Sequence, residues 1–389
     1  MSKSRDFLPY GRQDISEDDI QAVVDVLRSP MITQGDNIGK FEDSISRYCG
    51  ASGSVALASG TAALHTACAA LGIKEGSRVW TSPNSFVASA NAALYLGAQV
   101  DFVDIDITTG NMSVSALEEK LAKAREDNSL PDLLIPVHFA GRPCDMRSIS
   151  DLCGNYGVRI LEDGAHAFGA SYDCGRKIGS GVYSDAAIFS FHPVKPITTG
   201  EGGVIVSNNS DIIKFSSVFR THGISRNPDD LVNITDLDGV WYYEQGFLGY
   251  HYRMTDIQAA LGISQLKRLD DFIVKRRSIA QKYNEILKDL PIELPPESTV
   301  SGWHIYVIRL TSPELRLKVF NGLRSAGIGA NVHYIPIHLQ PYYRNLGFKT
   351  GDFPSAEKFY ATALTIPIFP SMNEEEQEYV AGKLDYILQ

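Results

Sequence analysis

Cysteine is scarce in this sequence. Its five cysteines, Cys49, Cys68, Cys144, Cys153 and Cys174, form no C-x-x-C pair and no regular spacing. An odd count without regular spacing fits a reduced, cytoplasmic setting better than a disulfide framework. Long apolar runs are missing too. None approaches the roughly 18 residues of a membrane span, and the opening MSKSRDFLPYGRQD lacks the apolar centre of a signal peptide. Basic charge is in deficit: the net charge of -10 argues against nucleic-acid binding, which needs a cationic surface for phosphates. An anionic substrate would therefore have to be met by local donors. No G-x-G-x-x-G follows a strand, and neither a P-loop nor a G-x-S-x-G elbow is present. His333 and His338 lie five apart with Pro336 between them, a spacing that does not make a helical zinc pair. No solenoid repeat appears. The sequons at Asn111 and Asn233 are expected to be chance matches.

What is present is an alternation. The short apolar runs SVALAS, RVWTS, VDFVDI, LLIPVHF, VRILED, AAIFSF and GVIVS fall between about residues 51 and 207. The segments TAALHTACAAL, SANAALYLG, VSALEEKLAKAR and MRSISDLCGNYG, all of helical character, separate the first five. Strand and helix in alternation predict an α/β domain with a mostly parallel sheet, and unbroken apolar runs predict strands buried on both faces. A polar stretch over 224–238 predicts a surface loop. TDIQAALGISQLKRLDDFIVKRRSIAQKYNEILKDL then has apolar residues at three- and four-residue spacing and predicts one long helix. Beyond the prolines of PIELPPESTVSG, WHIYVIRL and ANVHYIPI predict strands, and ELRLKVFNGLRSAG, SAEKFYATAL and EEEQEYVAGKLDYIL predict helices. The expected organisation is a large domain over 1–265, with an N-terminal arm, and a smaller C-terminal α+β domain over 266–389.

Ligands of open α/β sheets bind beyond the carboxyl ends of the strands. The first strand is followed there by Ser59-Gly60-Thr61. Small residues opening a helix can cradle a phosphate, or they can be an ordinary N-cap. The second strand leads to Phe86, either a stacking platform for a flat ring or a core aromatic. The fifth ends in Glu162-Asp163, with His166 three residues on. Carboxylates buried at a strand end need a cationic partner, which can be a salt-bridging side chain or a pyridinium nitrogen. The sixth carries Ser190 and then Lys195, with Pro193 and Pro196 close on either side. The prolines fix local backbone angles, and a buried lysine loses its proton more readily and can condense with carbonyls. Each feature is weak alone. Together they describe a pocket for pyridoxal phosphate.

The motifs ITQG, SGTAALH, FVASANA, LEDGAHAFGA, FSFHPVKPITTGEGG, FLGYHYRMTDIQAALGISQL and VHYIPIH resemble those of the DegT/DnrJ/EryC1/StrS sugar aminotransferases, over nearly the whole chain. FSFHPVKPITTGEGG with HLQPYY is most similar to the branch that aminates UDP-4-keto-6-deoxy-N-acetylhexosamines for pseudaminic acid synthesis. The resemblance implies the type I aminotransferase fold, pyridoxal 5′-phosphate as cofactor, L-glutamate as amino donor, a nucleotide-sugar acceptor and a homodimer. It implies that Lys195 forms the imine with the cofactor and shuttles the proton between substrate and cofactor carbons. Asp163 would pair with the pyridinium nitrogen, Phe86 would stack on the ring and His166 would lie near its 3′ oxygen. Gly60, Thr61 and Ser190 would hold the phosphate. The neighbouring subunit usually adds an asparagine from an LGYxYR motif, and this chain has His251 there instead. Tyr10, Thr33, His333 and Tyr334 fall where relatives contact the nucleotide sugar.

Three other readings are weighed by the same residues. A sugar deoxygenase of this fold carries histidine at the position of Lys195. A cofactor-binding regulator would lack turnover, and no DNA-binding segment accompanies this chain. An aldolase using Lys195 alone would leave Phe86, Asp163 and the phosphate cradle without purpose.

Overall fold

The structure is a computed structural model that describes residues 7–233, 235 and 239–389. Two helices open it, α1 (Glu17–Arg28) and α2 (Asp36–Cys49). Seven strands follow: β1 (Gly53–Leu57), β2 (Arg78–Thr81), β3 (Gln99–Phe102), β4 (Leu133–Ile135), β5 (Arg159–Asp163), β6 (Ala186–Ser190) and β7 (Gly203–Ser207). They form one sheet in the order β1-β7-β6-β5-β4-β2-β3. The pairs from β6 through β5, β4 and β2 to β3 are parallel. Only β7 runs against the rest, being antiparallel to both β6 and β1. The carboxyl ends of the other six strands therefore share one edge of the sheet.

Both faces of the sheet are covered. Leu57, Ile135, Leu161, Ile188 and Ile205 pack on one side against α3 (Gly60–Ala70), α4 (Ala88–Leu94) and α7 (Ser210–Phe219). Ala56, Leu134, Ile160, Phe189 and Val206 pack on the other against α2, α5 (Val114–Glu126), α6 (Met146–Tyr156) and α8 (Asp256–Leu266). This double cover is why the strands read as continuous apolar runs rather than as alternating ones.

The segment expected as a plain loop over 224–238 contains short order. Ile224–Ser225 (β8) pairs with Glu244–Gln245 (β9), and Pro228–Asp230 forms a 3₁₀ turn. Residues 234 and 236–238 lie outside the described residues.

The single long helix expected next is two. After α8 the chain turns at Lys267 and Arg268, and α9 spans Leu269–Leu287. The Arg268 guanidinium reaches back to Asp14 and Asp19 at 2.7 and 2.6 Å. The break lets α8 pack on α1 and α2, while α9 leaves for the second unit of structure.

That unit is built on a three-stranded antiparallel sheet of β10 (Ile292–Glu293), β11 (Tyr306–Leu310) and β12 (Ala363–Ile366). Helices α10 (Pro313–Ser325), α11 (Pro341–Asn345), α12 (Pro354–Thr362) and α13 (Glu374–Leu388) complete it. Its core joins Tyr283 and Leu287 of α9 to Val319, Leu323, Val380 and Leu384. The strand expected at ANVHYIPI does not form: only Asn331 bridges to Thr365, and His333 and Tyr334 turn toward the first sheet. The arm at Leu8 runs beside Ile328, and Tyr10 accepts a backbone hydrogen bond from Ile368. The two sheets meet through Phe102, Phe139, Ile305, Val307 and Phe359.

Candidate active site

The carboxyl edge of the large sheet opens into a cleft of about 440 Å³, closed on its far side by Tyr10, His333 and Tyr334. Of the residues singled out in the sequence, Tyr10, Gly60, Thr61, Phe86, Asp163, His166, Ser190, Lys195, His333 and Tyr334 all line it.

Ser59 caps α3, its hydroxyl accepting from the Ala62 amide at 3.1 Å. A helix start leaves several amides without intrahelical partners, so the cap does not use up the anion-binding capacity of Gly60 and Thr61. The glycine is dictated by its neighbour. A Cβ at position 60 would lie 2.9 Å from the Ser190 Cβ and 3.0 Å from its hydroxyl. A bare Cα keeps that corner open.

Asp163 and Glu162 end β5, and side chains of a strand alternate. Asp163 enters the cleft, its Oδ2 accepting from Ser89 at 2.6 Å and its Oδ1 from the Ala165 amide at 3.1 Å. Glu162 points through the other face. There it accepts from Tyr172 at 2.6 Å, from Ser184, and from His138 at 2.8 Å. The His138 Nδ1 is taken by the Cys144 amide, so the ring holds one proton, on Nε2, and gives it to Glu162. Glu162 belongs to a closed buried network and Asp163 to the cleft.

Lys195 follows a tight turn in which its amide donates to the His192 carbonyl at 2.9 Å. The loop behind it is stapled to one atom: the Phe191 carbonyl accepts from both the Thr198 hydroxyl and the Thr199 amide, each at 3.0 Å. Stiffness thus comes from these bonds as well as from Pro193 and Pro196. Burial pushes the Lys195 pKa down to about 8, against the pull of the Asp163 carboxylate in the same cleft. At that value about a tenth of the side chain is the free amine at neutral pH, on the order of a hundredfold more than for an exposed lysine.

His166 is buried, and its Nε2 lies 2.9 Å from the Tyr334 hydroxyl. Its Nδ1 has no partner among the described residues. Burial, with Lys195 and His333 nearby, holds the ring well below its ordinary pKa. Behind it His304 packs at 4.5 Å between ring centroids. His333 is held neutral, down to about 3, by burial and by Lys195. It contacts Thr365 at 2.8 Å, and Tyr10 stands 5.5 Å away, ring to ring. Burial keeps the Tyr334 phenol protonated throughout the working range. The bond joining His333 to Tyr334 is a cis peptide.

Phe86 stands at the mouth with 59% of its surface exposed and its ring 6.4 Å from that of Tyr334. That exposure makes it no core aromatic. Thr33 and His251 do not line the cleft of this chain. Thr33 lies in the exposed turn before α2, whose start is held by the Asp256 carboxylate bonding the Gly35 and Asn37 amides. His251 is exposed, bridged through its backbone to Thr221.

Sequence reasoning passed over Ser85, Ser89, His192 and Glu201, which also line the cleft. The two serines sit inside FVASANA and the preceding turn, where alternation of small residues gives no hint of which hydroxyl faces a carboxylate.

Architecture and cleft together place the protein among the α/β aminotransferases. Comparison with known proteins narrows the class: the chain belongs to the DegT/DnrJ/EryC1/StrS aminotransferase family, whose model matches residues 13–385. It is 37% identical over 393 residues to a UDP-4-amino-4,6-dideoxy-N-acetyl-beta-L-altrosamine transaminase of Campylobacter jejuni, covering 98% of each protein. Its fold superposes on Helicobacter pylori PseC, an aminotransferase involved in the biosynthesis of pseudoaminic acid, with a TM-score of 0.88 and 30% identity over 98% of this chain and 99% of that one. It matches the PLP-form of Spr1654 from Streptococcus pneumoniae with a TM-score of 0.88 at 28% identity, over 98% of each chain.

Proposed function

We propose that this protein transfers an amino group from L-glutamate to the ketone of a nucleotide-linked 4-keto-6-deoxy sugar, with a UDP-4-keto-6-deoxy-N-acetylhexosamine as acceptor and pyridoxal 5′-phosphate as cofactor. The observation that carries the reading is Lys195, held at a pKa of about 8 in the same cleft as Asp163 and the open start of α3.

Two features fit the cofactor. The corner at Gly60 would be filled by any Cβ, and the His166 Nδ1 is buried without a partner. Gly60, Thr61 and Ser190 would hold the phosphate, and Asp163 would keep a proton on the ring nitrogen. Phe86 would cover one ring face, and His166 would meet the 3′ oxygen. Bound there, the cofactor supplies a carbonyl for the lysine amine and a ring that accepts electron density from the reacting carbon. The chain's part is to position and to move one proton. Lys195 near pH 8 can both take and return it. The protonated Tyr334 would offer its hydroxyl to the sugar without adding charge, and the neutral His333, its ring nitrogens held by Thr365 and Asn331, would form the wall beside it.

L-Glutamate as donor rests on the family resemblance, and the sugar on the likeness to the Campylobacter jejuni enzyme. We read the working form as a cytoplasmic homodimer with a large domain over 1–265 and a small one over 266–389. A second subunit would present His251 at the phosphate, and Thr33 would meet the nucleotide. Among the described residues no helix is long and apolar enough to cross a membrane.

The test is spectroscopic. Cofactor-loaded protein is expected to lose its visible band on addition of L-glutamate and to regain it when a UDP-linked 4-keto sugar is added, with the amino sugar detected by mass spectrometry. A spectrum unmoved by glutamate would contradict the donor half of the reading.

A further inference from the structure

Four of the seven residues of helix α4 are alanine, yet it begins among two buried hydroxyls. Ser89 is 1% exposed and Ser85 4%. A buried hydroxyl without a partner costs about 1–3 kcal/mol, and alanine would fit a helix of this composition with no such demand. Both serines are partnered in a chain. The Ser85 and Ser89 hydroxyls lie 2.7 Å apart, and Ser89 lies 2.6 Å from the Asp163 Oδ2. An ionised carboxylate only accepts, so the Ser89 proton goes to Asp163 and the Ser85 proton goes to Ser89. The direction of the chain is therefore fixed. The Ala165 amide holds the other carboxylate oxygen, so each oxygen of Asp163 is gripped once from the protein side.

We infer that Ser89, oriented by Ser85, is a positioning residue that clamps the Asp163 carboxylate for the ring nitrogen of the cofactor. Ser85 and Ser89 bracket Phe86 in one turn, and the Ser89 hydroxyl also lies 3.3 Å from the Phe86 carbonyl. The clamp thereby ties the ring platform and the nitrogen partner to a single short segment, so that the two move together. This rests on the proposed cofactor.

Full-length Ser89→Ala, Ser85→Ala and Asp163→Asn are compared with the parent protein. Three quantities are read: the dissociation constant for pyridoxal phosphate, the pH midpoint of the visible band, and the Asp163 rotamer in crystals of the cofactor-free protein. Ser89→Ala is expected to weaken cofactor binding about tenfold, the scale of a hydrogen bond to a charged group. It should also move the midpoint in the same direction as Asp163→Asn and leave the Asp163 carboxylate turned. Ser85→Ala should do the same to a smaller extent, and decides the matter if Ser89→Ala does not fold. The inference is overturned if both serine variants keep binding and midpoint within about twofold of the parent while Asp163→Asn changes them. If the parent protein takes up no pyridoxal phosphate, the cofactor reading fails, and the cofactor-free crystals then decide the clamp alone: an unmoved carboxylate in Ser89→Ala sinks it.

Discussion

Glu162 and Asp163 are adjacent in sequence and face opposite sides of the sheet. One is sealed among His138, Tyr172 and Ser184, and the other is gripped by Ser89 at the cleft. The two carboxylates should therefore fail in different ways. Glu162→Gln puts an amide where three donors converge, leaving at least one buried donor unmet. It is expected to cost about 1–3 kcal/mol of stability with the cofactor spectrum little changed. Asp163→Asn is expected to lower turnover by orders of magnitude with a small change in melting temperature. Thermal denaturation beside steady-state kinetics separates the two.

The Lys195 pKa of about 8 has a kinetic consequence. Only the neutral amine condenses with a carbonyl. Uptake of pyridoxal phosphate by cofactor-free protein should rise about tenfold per pH unit below 8 and level off above it. Asp163 pulls this pKa upward, so Asp163→Asn should move the profile to lower pH. Stopped-flow absorbance measures both. A profile still climbing toward pH 10 would mean that burial does not depress the lysine. Lys195→Ala should lose about 10²–10⁴-fold or more in turnover, the range for removing a general acid–base group.

Gly60 can be tested by one methyl group. Gly60→Ala places a Cβ 2.9 Å from that of Ser190, within the corner assigned to the phosphate. Expected is a loss of affinity for pyridoxal phosphate of about tenfold that exceeds any loss of affinity for pyridoxal, which lacks the phosphate. Equilibrium titration with pyridoxal phosphate and with pyridoxal gives the comparison, since only the first carries the group that meets the corner.

Arg276 is fully buried in α9, where it holds the Trp303, His304 and Ile368 carbonyls at 3.1–3.2 Å. Burial lowers its pKa to about 10, still far above neutrality, so the charge persists. Arg276→Met preserves volume and strands three carbonyls, for an expected loss of about 3 kcal/mol or more. His304 packs on His166, so the damage should also loosen the cleft. Denaturant unfolding followed through both far-ultraviolet dichroism and the visible band would show the two transitions falling together.

Much of this was legible because burial leaves a mark on composition. The strands of the large sheet appear as apolar runs, and the residues just past their ends form the cleft. Alternation along β5 states that Glu162 and Asp163 part company, but not which one faces the cleft. It is Asp163 that does, where it meets Ser89, 74 residues away. The turn between α8 and α9 left no glycine or proline to read, since it is held by Arg268 reaching Asp14 and Asp19 about 250 residues earlier. ANVHYIPI has the alternation of a strand, yet its polar members His333 and Tyr334 are drawn to Thr365 and His166. Thr33 and His251 lie outside the cleft of this chain, and no property of a single sequence states what a second copy brings.

The central claim is that the Lys195 amine carries the cofactor. Borohydride reduction of the loaded protein, followed by peptide mass mapping, tests it most directly. A phosphopyridoxyl group on the peptide containing Lys195, and absent from Lys195→Ala, is the predicted result. The same group on another lysine, or on none, would contradict the account.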